Sequence, residues 1–183
     1  MAPRKAELER QTRETRISVS VVLDGKGEYD VKCDDVPFLR HMVETLSRYS
    51  GVDIRMSAGG DNDHHIVEDA AISLGKAIAK AIDGPIARFS TKTVAMDDAL
   101  VMASIDIIDR PYAEVDCPDQ LYAHFLRSFA MSLGMTLHVV QIRGEDAHHV
   151  VEASFKALGM CLREALAPVG DEISTKDKPR YKG

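Results

Sequence analysis

Residues 38–51 recur as residues 121–134 at an offset of 83, and residues 60–75 recur as residues 144–159 at an offset of 84. The first register lays His41 on His124 and Gly51 on Gly134. The second lays Gly60 on Gly144, His64-His65 on His148-His149, Glu68 on Glu152 and Gly75 on Gly159. Self-similarity of this length marks a duplicated supersecondary unit, so the fold must be two copies of one arrangement. Each half is too small to be very stable alone, and the two are expected to pack through their helices.

Hydrophobic periodicity gives the content of each unit. Ile17, Val19, Val21 and Leu23 alternate with small or polar residues, and so do Tyr29, Val31 and Cys33, around Asp24-Gly25-Lys26-Gly27. This pattern predicts a hairpin. Phe38, His41, Met42, Thr45, Leu46 and Tyr49 recur at helical spacing up to Gly51. A strand over Val52–Met56 follows, then a helix over about 64–82 capped by Asp61 or Asp63. The second half reads as strands over 86–95 and 98–108, a short strand over 111–116, a helix over about 120–132, a strand from Met135, and a helix over about 148–166. The expectation is one α+β domain over 1–183. It is a duplication of β-β-α-β-α halves (about 10–84 and 86–167), with helices between two mixed four-stranded sheets and a polar tail over 168–183.

The duplicated motif carries the chemistry. On a helix, residues i and i+4 share a face. His64 and Glu68 can therefore reach one ion, as can His148 and Glu152. His65 and His149 lie about 100° around the helix, so each should reach a second ion. His41 and His124 add one imidazole per repeat. Eight ligands over two ions leave vacant positions on octahedral metals, which suits catalysis rather than a structural site. Imidazole and carboxylate without thiolate fit Mn²⁺, Fe²⁺, Co²⁺ or Zn²⁺, and six-coordination favours Mn²⁺. The lone histidine of a repeat faces away from its own His/Glu pair, which predicts sites completed by the other half or another subunit, and a homo-oligomer. His138, the remaining histidine, aligns with Ile54 and is expected to serve strand packing.

Charge and cysteine content exclude other classes. The formal net charge is −6, which disfavours a nucleic-acid surface, although the same strand–helix arrangement occurs in ribosomal proteins. Cys33, Cys117 and Cys161 are far apart and odd in number, as free thiols of a reducing cytoplasm are. Neither a secretory signal nor a membrane span is legible.

Beyond these patterns, the chain resembles the imidazoleglycerol-phosphate dehydratases of histidine biosynthesis over nearly its whole length. The matching stretches are Arg10-Gln-Thr-Arg-Glu14-Thr15, Phe38-Leu-Arg-His41-Met, Asp61-Asn-Asp-His-His-Ile-Val-Glu68-Asp69, Ala95-Met-Asp97-Asp98, Asp109-Arg110-Pro111, Gly144-Glu-Asp-Ala-His-His-Val-Val-Glu152-Ala-Ser-Phe-Lys156-Ala and Ser174-Thr-Lys176. The resemblance implies a hydro-lyase with two manganese ions per site, and a particle of 24 subunits built from trimers. It implies that His41, His64, His65, Glu68, His124, His148, His149 and Glu152 are ligands. It also implies a phosphate pocket of Arg88, Arg110, Lys156, Ser174 and Lys176, with Glu14 as acid or base. Asp97 is a weaker candidate, and Glu68 or Glu152 could contribute. Arg40 stands where the family has an aspartate, and Asp177 where it has a glycine. Two other classes use the same ligands: a di-metal hydrolase of a phosphorylated small molecule, and a non-catalytic metal-dependent assembly.

Overall fold

The computed structural model describes residues 3–171. In chain order its elements are β1 (Lys5–Gln11), β2 (Thr15–Val22), β3 (Tyr29–Lys32), α1 (Pro37–Ser50), β4 (Asp53–Gly60), α2 (Asp63–Ala81), β5 (Phe89–Met96), β6 (Ala99–Ile107), β7 (Tyr112–Val115), α3 (Gln120–Leu133), β8 (Met135–Arg143) and α4 (Ala147–Ala165). Two four-stranded sheets form, ordered β1-β2-β4-β3 and β5-β6-β8-β7. Both are mixed, because β3 and β7 run parallel to β4 and β8 while the other pairs are antiparallel. The helices lie between the sheets: α2 covers β1 and β2, and α4 covers β5 and β6. Across the middle, α2 packs on α3 and α1 on α4, so each helix pair joins the two halves.

The two four-stranded mixed sheets are as expected, but the first half has one strand more than its periodicity gives, and its hairpin lies elsewhere. β1 was not legible, because Ala6 and Leu8 are its only apolar residues and Lys5, Glu7 and Glu9 face solvent. Such charges are what protect an edge strand. The hairpins are β1–β2 and β5–β6, not β2–β3, since β4 inserts between β2 and β3. The 24–27 turn is captured by the end of β4. Asp53 Oδ1 accepts the N–H groups of Lys26 and Glu28, both at 2.8 Å, and Gly27 N–H donates to the Gly51 carbonyl. The chain then enters β3 parallel to β4, with α1 as the crossover. α2 is capped by Asn62, whose side chain accepts the His65 N–H, rather than by Asp61 or Asp63.

The change of offset from 83 to 84 has a structural cause. Leu100 pairs with Arg143 but Val101 with Gln141, so Ile142 is an extra residue in a β-bulge that β4 lacks. Before the bulge the offset is 83, which moves His138 onto Arg55 rather than Ile54. Like Arg55, His138 is exposed on the outer face of its sheet, where its ring meets Tyr112 at 5.6 Å. It does not pack in the core.

The repeated glycines mark two kinds of position. Gly51 and Gly134 end α1 and α3 at φ 77° and 78°, the left-handed cap that glycine adopts without strain. Gly75 and Gly159 lie inside helices, where glycine is about 1 kcal/mol worse than alanine. A Cβ on Gly75 would come within 2.7 Å of the Phe129 carbonyl oxygen, and one on Gly159 within 2.8 Å of Tyr49 Cβ. These are the contacts where α2 meets α3 and α4 meets α1. Gly159→Leu is therefore expected to destabilise the fold by about 3 kcal/mol, against about 1 kcal/mol for Gly159→Ala, whose helix propensity offsets part of the clash. Urea denaturation of the two variants checks the order.

Candidate functional site

The two helix interfaces place the histidines. α4 presents His148 and Glu152 on one face, and α1, packed against it, brings His41 from the other half. His41 Nε2 lies 3.3 Å and His148 Nε2 3.5 Å from Glu152 Oε2. At the other interface α2 presents His64 and Glu68, and α3 brings His124. His124 Nε2 is 3.3 Å from Glu68 Oε1, and His64 Nε2 is 3.8 Å from Glu68 Oε2. In each group one donor atom per residue falls within 4.8 Å of the others, close enough to hold one metal ion. Each helical pair is thus joined by the lone histidine of the opposite half.

The chemistry of these donors fits a divalent cation. His124 Nε2 is buried and has no hydrogen-bond partner, a costly state for a polar atom unless something else binds it. Two imidazoles facing one carboxylate form a set that Mn²⁺ or Zn²⁺ accepts. Burial raises the Glu152 carboxyl pKa, but hydrogen bonds from Lys156 and His41 outweigh that and leave it below the ordinary value. Lys156 Nζ sits 2.9 Å from Glu152 Oε1, on the same helix face as expected for i,i+4. Phe38 stacks on His148 with centroids 4.7 Å apart and forms an apolar wall beside it.

His65 and His149 point elsewhere, as their position around the helix requires. His65 Nδ1 lies 2.8 Å from Asp61 Oδ1 and 3.7 Å from Glu14 Oε2, and these three residues form a third candidate metal group. His149 Nδ1 lies 2.6 Å from Asp98 Oδ1, and its Nε2 3.5 Å from Asp97 Oδ2. Hydrogen bonds to Asp61 and Asp98 raise the pKa values of both rings above the ordinary imidazole value. Asp98 also accepts the N–H groups of Glu145 and Asp146. These bonds, led by that from Glu145, hold its carboxyl pKa far below the usual range. A carboxylate on one ring nitrogen fixes the orientation of the other. The sequence reading gave neither aspartate this role. Asp61 is detectable as the residue four before His65, but Asp98 lies in the β5–β6 turn and only the fold brings it there.

Among the described residues, the candidate phosphate ligands are not gathered at one place in the chain. Lys156 is beside Glu152, but Arg88 donates its backbone N–H to Ala165, the last residue of α4. With His149 near the start of that helix, the two ends lie roughly 24 Å apart at about 1.5 Å per residue. The Arg88 guanidinium is held by Asp106 through two contacts of 2.8 Å. Arg110 is exposed, and its carbonyl accepts the Thr136 hydroxyl at the start of β8, at the same end of the second sheet as Asp106, which holds Arg88. Ser174 and Lys176 lie outside the described residues. Glu14 occupies the β1–β2 turn rather than a strand, and Asp97 the β5–β6 turn. Arg40 pairs with Glu44 on its own helix, so it does not replace a carboxylate beside His41.

Known proteins share this fold and much of this sequence. The profile of the imidazoleglycerol-phosphate dehydratase family matches residues 34–162. The dehydratase of Dictyoglomus thermophilum is 42% identical over 184 aligned positions, covering 96% of this chain and 98% of that protein. The crystal structure of the Pyrococcus furiosus enzyme superposes with a TM-score of 0.81 at 36% identity, covering 92% of this chain and 98% of that one. That of the Staphylococcus aureus enzyme gives 0.78 at 29% identity, covering 90% and 99%. Shared sequence over almost the full length of both partners, on the same duplicated fold, means that the chain belongs to the imidazoleglycerol-phosphate dehydratase family.

Proposed function

We propose that this chain removes water from D-erythro-imidazoleglycerol phosphate, using two divalent ions held at the two helix interfaces. The product is imidazole acetol phosphate, and the reaction is a hydro-lyase step of histidine biosynthesis. The observation that carries the reading is the meeting of each His/Glu pair with the lone histidine of the other half, at distances one ion could bridge. His41, His148 and Glu152 would hold one ion, and His64, Glu68 and His124 the other. Mn²⁺ suits this donor set with open coordination positions.

Bound ions would supply Lewis-acid polarisation of the imidazole ring and its side chain. The remaining work falls to the chain's own groups. The hydroxyl on the carbon next to the ring must leave with a proton as water, and the carbon-bound proton of the neighbouring carbon, which keeps its own hydroxyl, must be removed. Glu14, half-exposed in its turn and close to His65, is the group assigned to proton transfer. Asp97 is the weaker alternative, because it borders His149 and is more exposed than Glu14. Glu68 and Glu152 are poorer bases while they act as ligands. The enol left after dehydration tautomerises to the ketone. Lys156, near Glu152, would meet the phosphate as a point charge, and Arg88 and Arg110 would meet it as planar forks.

Geometry favours an assembly. Arg88 lies beside the C-terminal end of α4, too far to serve the ions of its own chain, and His65 and His149 face away from both helix-interface groups. Both facts fit sites shared between copies: a neighbour's arginines reach the phosphate, and His65 and His149 complete ions held by another copy. The reading is a cytoplasmic homo-oligomer, 24 subunits built from trimers. Among the described residues no helix is long and apolar enough to cross a membrane. The test is metal analysis of the purified protein together with an assay of imidazoleglycerol phosphate consumption. Two ions per chain and stoichiometric ketone are expected. Phosphate release in place of ketone, or a fully active monomer on gel filtration, would contradict the reading.

A further inference from the structure

The duplication supplies an internal control for every buried residue, and one buried network has no counterpart. Asp69 on α2 is 8% exposed. Its Oδ2 accepts the hydroxyl of Thr15, itself 4% exposed, and its Oδ1 lies 2.7 Å from Arg10 Nη2. Thr15 Oγ1 is 3.1 Å from Thr12 Oγ1, which accepts the backbone N–H groups of Glu14 at 3.1 Å and Thr15 at 3.0 Å. The chain of bonds therefore runs from a buried carboxylate to the turn that carries Glu14. The same turn is also tied to the link that leads into α2, because the Asp61 N–H donates to the Glu14 carbonyl at 3.0 Å.

In the second half the matching positions are apolar. Arg10 pairs with Ile17 as Val94 pairs with Val101, which places Val94, Ala99 and Ala153 where the first half has Arg10, Thr15 and Asp69. Ala99 and Ala153 are buried at 2% and 0%. The same strand–helix contact thus closes on hydrocarbon alone. Replacing a buried ion pair by apolar groups is often neutral or stabilising; this pair is buried on the Asp69 side and partly exposed on the Arg10 side, and Arg10 Nε has no hydrogen-bond partner. Folding stability therefore does not account for the polar triad. What differs between the halves is the turn. Asp98, matching Glu14, is held by the N–H groups of Glu145 and Asp146 and by His149. The Glu14 carboxylate accepts no hydrogen bond from a described residue, and it must be placed from outside.

We infer that Asp69, with Thr15 and Arg10, is a positioning device that clamps the Glu14 turn onto the metal-binding helix. The inference rests on the reading of Glu14 as the proton-transfer group. α2 carries His64, His65 and Glu68 and, one residue on, the clamp itself, so the ions and the base are referred to one rigid element. Asp69 touches no substrate in this scheme; it acts through Thr15 and Thr12.

The test exchanges the triad for that of the second half, Arg10→Val, Thr15→Ala and Asp69→Ala together, in the assembled, metal-loaded protein. Thermal stability is expected to be unchanged or higher, with metal content and KM little altered, while kcat falls roughly 100-fold, as misplacement of a reacting group by about 1 Å produces. A wild-type kcat in the folded triple variant, or a loss confined to KM or metal content, overturns the inference. Should the triple variant fail to assemble, Thr15 decides alone: Thr15→Val must lose kcat and Thr15→Ser, which keeps the hydroxyl, must recover it. Equal kcat in these two overturns the clamp. Combination with Glu14→Gln separates the two claims. A clamp acting through Glu14 adds nothing to a Glu14→Gln background, whereas a general structural role multiplies the losses. If Glu14→Gln by itself leaves turnover intact, the assignment of Glu14 fails. If it is inactive and the triad exchange is not, only the clamp fails.

Discussion

Glu14→Gln is expected to lower kcat by roughly 10²–10⁴-fold while leaving metal content and assembly intact. The amide keeps the size of the side chain and the backbone bonds of the turn, in which Glu14 N–H donates to Thr12 and the Glu14 carbonyl accepts from Asp61. It removes only the capacity to take a proton. Because Glu14 belongs to neither of the two helix-interface groups, no ion assigned to those groups is lost with it. Steady-state kinetics with metal analysis of the same sample checks both parts. Unchanged turnover would remove Glu14 from the mechanism and move attention to Asp97.

Chelation is expected to abolish turnover and to disperse the proposed 24-subunit particle into smaller units. Without ions, each interface leaves two imidazoles around one carboxylate, and at the α2–α3 interface His124 Nε2 is buried without a hydrogen bond, a costly arrangement for polar groups. Where an ion also bridges copies through His65 or His149, its removal deletes an intersubunit bond. Since the ligands must be deprotonated to bind, loading and assembly should be coupled. Light scattering before and after exhaustive chelation, and again after Mn²⁺ is returned, is the measurement. A large particle that persists without metal shows that the ions are catalytic but not structural.

Much of the site was legible from spacing. Duplication of His-His-x-x-Glu, with one more histidine upstream in each copy, placed six donors that the fold gathers into two groups. It also placed His65 and His149 outside them, because the 100° step around a helix is a local property. Asp69 went unread as a functional group, since nothing local separates a buried acid from a surface acid at that helical position. Lys156 lies beside Glu152 for the same local reason that groups the donors, an i,i+4 spacing on one helix face. Arg88 and Arg110 were grouped with it by resemblance, yet in one chain they lie at the other end of α4.

Periodicity and repeat by themselves determined the helices, the long strands, the duplicated architecture and the donor set, because each depends on residues a few positions apart. Strand partners were another matter. The 24–27 turn looked like a hairpin until Asp53 captured it, and β1 was invisible because an edge strand shows solvent one face and the core only Ala6 and Leu8. Only the tertiary structure decided which histidine meets which pair, that Asp98 reaches across 51 positions to His149, and that a single extra residue at Ile142 shifts the repeat. Such contacts join residues far apart in the chain, and their energies arise only when the sheets close over the helices.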